Sequence, residues 1–575
     1  MAYSALPDDA PDDSADAPLI SQRTSGLTVS ADSTYSYSYG PPSLRGLRHN
    51  YYASLCAVFA SIGGLSFGYD QGVIANVLVM DDFIHRWPLT PLQKGALTAV
   101  LELGALIGAL TFGAIADRYS RRHAIFIACV IFNVGALFQT FANALSNLFI
   151  GRAVGGIGVG ALSMLSPLYI SEISSPEIRG SLIALEQFSI VLGVVLGFWL
   201  GFFTRNILGS ASWRIPLGVQ IGPGVLLALG AVFLLPASPR LLVLKGKYDE
   251  AEASLVKLRG RDDGVTKLEL LEMRVEATLI AEAAASSKSG ATGELSAWGR
   301  LLSKKYRART LVGVLMMFFQ RMYHFSLSPK LKRNAEWSGI NALLYYGPTL
   351  VRSVGLKGDT ISLIVSGGIG IVQFVAVVPA VVYIDRLGRK PLLRGGSAAM
   401  AASHFLIAIM ASTPSFSSYL LIFRQVMQFN SDWTSHSIAA WTCVVGIYAF
   451  TFAYGVSFGP IGWVLPSEVF PLSVRGRGVA LSTASNWGNN FLIGLVTPLM
   501  MELSAAGTFL TFATACFLAY LWSTYSVPET AGVALEDMDW VFGGHAGAED
   551  AERRRELEEE LGLRAVLAEM AAVER

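Results

Sequence analysis

The sequence predicts an all-α membrane protein: twelve transmembrane helices in two six-helix bundles, with a cytosolic helical loop between them. The first reason is composition. The chain has 575 residues, 52% hydrophobic and only 15% charged, where a soluble domain carries about 25% charged residues. The second is distribution. Charge is gathered in short clusters, separated by apolar runs of about the 20 residues needed to cross a bilayer. The third is repetition. GAIADRYSRR carries Asp117-Arg118 and Arg121-Arg122, and YIDRLGRK carries Asp385-Arg386 and Arg389-Lys390. SPLYISEISSPEIRG sets Glu172 seven residues before Arg179, and LPSEVFPLSVRG sets Glu468 seven residues before Arg475. Matched charged punctuation in two halves marks a duplicated membrane bundle.

The expected spans are 53–77, 95–116, 124–144, 148–170, 182–203 and 214–235 in the first half. In the second half they are 309–320 continuing at 337–350, 361–384, 392–410, 440–465, 478–500 and 507–526. Residues 1–50, with Asp8, Asp9, Asp12 and Asp13 among many Ser and Tyr, read as a disordered tail. Residues 51–237 then form the first bundle, 238–308 the loop, 309–530 the second bundle and 531–575 a C-terminal tail. YDEAEASLVKLRG and KLELLEMRVEATLIAEAAA in the loop read as amphipathic helices. The basic segments 117–123, 238–260, 300–309, 386–394 and 475–477 all fall on one side if the spans alternate. By the distribution of Lys and Arg that side is cytosolic, as are both tails. The net charge of +1 argues against nucleic-acid binding. Cys56, Cys129, Cys443 and Cys516 sit singly in apolar runs, as small buried side chains do.

A charge at mid-membrane costs about 2.5–3.5 kcal/mol, so each one needs a reason. Asp70, in GGLSFGYDQGVI, reads as a carboxylate that takes a proton on one side and releases it on the other, with Arg152 of GRAVGGIGVG as its partner. Glu102 and Glu186 also lie in apolar runs; either suits a second proton group, and the stronger expectation is that each faces the interior and bonds a neighbour. The glycines of GRAVGGIGVG lack the strand–turn–helix setting of a phosphate loop and read as close helix packing. The charged clusters at span ends read as a latch between the bundles: Asp117, Arg118, Arg122, Glu172, Arg179, Arg240, Asp385, Arg386, Arg389, Glu468 and Arg475. Neutral amides within the spans suit a polyol, whose hydroxyls both donate and accept. The candidates are Gln187, Gln320, Asn341, Gln373, Asn486 and Asn490, with Tyr454 and Trp463 near the helix-breaking GVSFGPIGW.

Over residues 50–530 the chain resembles the sugar porters of the major facilitator superfamily, in particular eukaryotic monosaccharide/proton symporters. The motifs are FGYDQGVI, GAIADRYSRR, GRAVGGIGVG, EISSPEIRG, PASPR, SGINALLYYGP, DRLGRK, GPIGWVLPSEVFPLSVR, SNWGNN and PETAG. The resemblance implies sugar contacts from Gln187, Gln320, Asn341, Tyr346, Gln373, Tyr454, Trp463, Asn486 and Asn490. It implies proton coupling through Asp70 and Arg152, and an intracellular latch from the charged motifs. The chain departs from the family at Ala237, where PASPR lacks the usual glutamate, and at Ala531, where PETAG lacks the usual lysine.

The largest departure is an insertion. MMFFQ ends at Gln320 and the family's WSGIN resumes at Trp337, with Arg321, Pro329, Lys330, Lys332 and Arg333 between them. Four cations in mid-membrane would cost on the order of 10 kcal/mol. We read 321–335 as a retained intron. Arg321-Met322-Tyr323 is encodable as C-GTATGTA, a 5′ splice signal, and Ala335-Glu336 as GCAG-AA, ending in the 3′ signal AG. Excision fuses C with AA into a Gln codon and restores FFQQWSGINALLYYGP. The segment 411–425 is a weaker case of the same kind, with an ordinary loop expansion as the alternative.

The leading expectation is a proton-coupled importer of hexose or pentose, working by alternating access as a monomer in the plasma membrane. Its partners are a monosaccharide, protons and the bilayer. A facilitative uniporter, a polyol or quinate transporter and a non-transporting sensor are the alternatives. No nucleophile–base set or metal-ligand cluster is evident, so neither enzymatic activity nor a cofactor is expected.

Overall fold

The computed structural model describes residues 20–21, 27–29, 35–37, 39, 44–285, 298–304, 306–321, 359–411, 437–471, 474–503, 505–531, 533, 538–542 and 548–573. Before the first crossing, β1 (Ile20–Ser21), β2 (Leu27–Val29) and β3 (Tyr35–Tyr37) pair as an antiparallel ladder. A short helix, α1 (Leu44–His49), leads to the first crossing, which is α2 (Tyr51–Ala60) and α3 (Ile62–Val77). After α4 (Asp81–Arg86) come α5 (Pro91–Arg118), α6 (Arg121–Thr140), α7 (Leu145–Ile173) and α8 (Arg179–Thr204). The sixth crossing is α9 (Ala211–Val219) with α10 (Ile221–Phe233).

The loop between the halves folds as α11 (Pro239–Leu244), α12 (Tyr248–Arg259) and α13 (Gly264–Ala285). The second half contains α14 (Arg307–Arg321), α15 (Asp359–Leu387), α16 (Arg389–Ala411), α17 (Ser437–Val456) with α18 (Phe458–Val469), α19 (Arg475–Leu503) and α20 (Ala505–Tyr525). Short helices α21 (Met538–Val541), α22 (Ala548–Glu560) and α23 (Leu563–Val573) follow. Among the described residues, nine crossings are long and apolar enough to span a membrane. The continuation of the seventh at 337–350, most of the 321–335 insertion and nearly all of 411–425 lie outside the described residues.

Small residues set the helix spacing. Gly64, Gly68 and Gly72 of α3 abut Glu186, Ile190 and Val194 of α8, so a Cβ at Gly68 would collide with the Ile190 carbonyl. The glycine string of α7 does the same work. Gly156 and Gly160 abut Leu101 and Ala105 of α5, and Gly158 abuts Phe132 of α6. Backbones without side chains between them approach closely, and van der Waals contact then holds the bundle where no hydrophobic drive acts. The tenth crossing breaks at Ser457, the residue after α17. Pro460 explains the position: it has no N–H to give the Val456 carbonyl four residues earlier.

The loop helices pack on one end of the bundles, which we call the basic face. Arg259 ends α12 and forks onto Glu269 of α13 at 2.7 and 3.0 Å, both side chains buried. Burial pushes the Glu269 carboxyl up, but the charge and hydrogen bonds of Arg259 outweigh it and leave it below the usual range. Within residues 1–50, Tyr39 is fully buried beside this pair. Its hydroxyl donates to the Val265 carbonyl, and its ring lies under Arg259 and Arg261. The C-terminal helices α22 and α23 return to α13, where Leu557 and Leu563 pack with Leu268 and Val275. The charged C-terminal stretch is two helices, because Gly562 takes a left-handed φ of 76° that ends α22.

Candidate functional site

Neutral polar side chains gather where the two halves meet. Gln187 of α8 accepts from the indole N–H of Trp463 on α18 at 3.0 Å. Gln320 of α14 donates to the carbonyls of Phe458 and Gly459, at 3.1 and 2.9 Å, just past the α17–α18 break. Its oxygen accepts from Asn486 of α19 at 2.7 Å, and Asn490 donates to Asn486 at 3.2 Å. Gly462 makes this approach possible: a Cβ there would strike the Gln320 amide. Aromatic rings close the cluster. Phe67 of α3 stands edge-on to Trp463 and Trp487, and Trp487 donates to Ser163 of α7 at 3.0 Å. Gln373 and Tyr454 are buried, on α15 and α17. Asn341 and Tyr346 lie outside the described residues. An amide ring with indole and phenyl faces offers paired donors and acceptors beside flat apolar surfaces.

Asp70 lies apart from the amides, within the first half. It is 1% exposed, and its Oδ2 stands 3.4 Å from Arg152 Nη1. Arg152 is also 1% exposed and donates its Nε to the Leu97 carbonyl at 2.7 Å. The only hydrogen bond from Arg152 to Asp70 that the described residues show is long, at 3.5 Å to Oδ1. The pair expected from sequence is therefore formed, but loosely.

At the basic face the two halves repeat one arrangement. In the first, Arg121 forks onto Glu172 at 2.8 Å and also bonds Asp117. In the second, Arg389 forks onto Glu468 at 2.7 Å and reaches Asp385 at 3.1 Å. Each aspartate then crosses to the other half at the start of a helix. Asp385 accepts from the Ser181 N–H at 2.8 Å and its hydroxyl at 2.6 Å, in the first turn of α8. Asp117 lies against Gly476 in the first turn of α19, 2.7 Å from where a Cβ would stand. A carboxylate at a helix N-terminus meets unpaired N–H groups and the positive end of the dipole. Arg179 and Arg475 are buried at the starts of these same helices, and Arg475 donates to the Phe470 carbonyl.

The remaining latch candidates sit elsewhere. Arg118 and Arg386 are exposed and Arg122 is half-buried. Arg240 pairs with Glu276 of the loop at 3.9 Å. The residue that sequence reasoning passed over is Arg121. Its signal was available: aligning the two halves sets Asp117–Arg121 against Asp385–Arg389, each pair four residues apart across the break between two helices. Glu529 of PETAG was also missed. It accepts from the backbone N–H groups of Arg389 and Lys390 and so caps α16. In the first half Ala237 stands where the family has glutamate, and Ser120 makes no side-chain cap for α6.

The family description "Sugar (and other) transporter" matches residues 56–542. The chain is 30% identical over 506 residues to the low-affinity glucose transporter HXT3 of Saccharomyces cerevisiae, covering 85% of this chain and 82% of the relative. It is 31% identical to the glucose transporter GlcP of Staphylococcus epidermidis, covering 86% and 98%. The crystallised proton:xylose symporter XylE bound to 6-bromo-6-deoxy-D-glucose superposes with a TM-score of 0.69 at 25% identity, covering 85% and 99%. With matched halves, a central amide site and a match over most of its length, this multi-pass membrane protein belongs to the sugar transporter family of the major facilitator superfamily.

Proposed function

We propose that the protein imports a hexose or pentose across the plasma membrane, driven by protons, through a site at the junction of its two halves. The observation that carries the sugar reading is the amide cluster: Gln187, Gln320, Asn486 and Asn490 converge with Trp463 from four helices of both halves. A sugar's hydroxyls replace the bonds these amides make with one another, and its C–H faces lie on the indole. The relatives named as glucose transporters and the xylose symporter support the substrate class.

The loose Asp70–Arg152 pair supports coupling. An ionised Asp70 is favoured while Arg152 is near, and a protonated one when they part, so helix position and proton occupancy depend on each other. The basic face supports alternating access. Asp385 at Ser181 and Asp117 at Gly476 join the halves there, and both contacts break when that end opens. With that face cytosolic, both tails are cytosolic and the protein works as a monomer. Residues 321–335 are absent from the working protein, which then carries Gln at position 336.

The test is uptake of labelled glucose and xylose in transporter-deficient cells. The full chain is compared with the chain lacking 321–335 and bearing Glu336→Gln, with and without a protonophore. Uptake by the shortened chain that collapses with the protonophore is expected. Uptake that survives it would contradict coupling, and no uptake by surface-resident protein would contradict the substrate class.

A further inference from the structure

Glu186 is a second buried carboxylate in the first half, and it differs from Asp70 in having no ion-pair partner among the described residues. It is fully buried, and among the described residues neither carboxyl oxygen has a hydrogen-bond partner. The sequence expectation that it would bond a neighbour is not met among the described residues. Its Oε1 lies 2.7 Å from where a Cβ of Gly64 would stand, so it fills the gap between α3 and α8.

Ionisable groups on the surrounding helices are engaged elsewhere. Asp70 is held by Arg152, Glu172 by Arg121, Asp385 by Ser181 and Glu468 by Arg389. On α2 there are Tyr52, bonded to the Leu234 carbonyl, and buried Cys56, and on α9 Arg214 bonds Ala142. An unpaired carboxylate ion in such surroundings is very costly, which favours the neutral acid.

Its height matters. Gly64 precedes Asp70 by six residues on α3, which places Glu186 about 9 Å nearer the basic face than Asp70 at 1.5 Å per residue. Hydroxyls cluster at that level. Ser61 and Ser189 share a 2.8 Å hydrogen bond, and the Ser166 hydroxyl lies beside Gly63 with no hydrogen-bond partner among the described residues. Glu186 also directly precedes Gln187, whose amide binds Trp463.

We propose that Glu186 is a second proton carrier, which takes the proton that Asp70 releases and hands it to the cytosol. In the step, Glu186 has first lost its proton to water through the open basic face, and the O–H bond at Asp70 then breaks as one forms at the Glu186 carboxylate, which restores the neutral acid of the closed state. Asp70 is left as a carboxylate beside Arg152, and Glu186 as a neutral acid. The next opening of the basic face wets α8, stabilises the Glu186 carboxylate and lets the proton leave to water. The inference rests on the proton-coupled reading above.

The experiment compares Glu186→Gln with the unsubstituted protein, in the full chain and in the chain lacking 321–335. Three quantities are read: sugar accumulation against a gradient, sugar-evoked proton uptake, and equilibrium sugar exchange. Glutamine keeps the shape of a neutral acid but cannot carry a proton. Accumulation is expected to fall at least about tenfold, proton uptake to vanish and exchange to stay within about twofold. Unchanged accumulation and proton uptake overturn the proposal, and so does loss of exchange along with accumulation, which marks a structural residue. If the unsubstituted protein moves sugar without protons, the coupled reading fails first and this one with it. Should Glu186→Gln fail to reach the surface, Glu186→Asp is read instead. A shortened carrier shifts the pH profile of accumulation, and an unshifted profile overturns the proposal.

Discussion

At the scale of residues, the candidate site is made of groups that satisfy one another. Gln187 and Trp463 are the clearest case, since one hydrogen bond ties the two halves and both side chains are buried. Gln187→Ala leaves the indole N–H unpaired in a dry setting, at a cost of about 1–3 kcal/mol. We expect kcat/KM for sugar uptake to fall roughly tenfold or more, with surface expression unchanged, measured by initial rates beside surface labelling. Much of this cluster was legible in the sequence because a neutral amide in an apolar span is conspicuous. Phe67 and Trp487 were not, since an aromatic residue in a membrane helix looks the same whether it faces lipid, core or ligand. Only the fold sets Phe67 edge-on to both tryptophans.

At the scale of elements, the aspartate–arginine–glutamate sets at the basic face decide which charges matter. Arg121 and Arg122 are neighbours in sequence, yet Arg121 is buried against Glu172 and Asp117 while Arg122 is half-buried. Arg121→Gln leaves the buried Glu172 carboxylate without its ion-pair partner, with Ser238 and the more distant Arg475 left to stabilise it, costing up to about 3–5 kcal/mol. Arg122→Gln should stay within about 0.5 kcal/mol. Thermal unfolding in detergent checks the pair: a large fall in Tm for the first variant and little change for the second are expected. The repeat made the location of this machinery readable. Which arginine turned inward depended on where α6 begins, which the run RYSRR by itself leaves open and only its alignment with DRLGRK settles. The first half also lacks the carboxylate cap that Glu529 gives α16. Ala237→Glu should restore it for α6 and add about 0.5–2 kcal/mol, seen as a higher Tm. No change would mean that residue 237 does not reach that helix end.

At the scale of the whole molecule, two bundles meet at a polar centre and are held shut at one end. The fold class was legible because apolar runs, charge spacing and the internal repeat all pointed to one architecture. The docking of the tails was not. Tyr39 lies in a stretch with the composition of a disordered segment, and its burial depends on Arg259, Arg261 and Val265, more than two hundred residues away. The insertion at 321–335 is a whole-molecule matter as well, since its cations would stand in the seventh crossing. Transcripts of the native gene should lack the intervening bases as the dominant form, and sequencing them decides it. A dominant transcript that retains them would contradict the splicing account.

The central claim is that sugar movement is tied to a proton through Asp70. The most direct measurement is the pH of a weakly buffered suspension of cells expressing the protein, recorded as glucose or xylose is added, for the unsubstituted protein and for Asp70→Asn. The account predicts a sugar-evoked rise in external pH that Asp70→Asn abolishes while sugar exchange continues. Sugar entry with no pH change, or a pH change that survives Asp70→Asn, would contradict it.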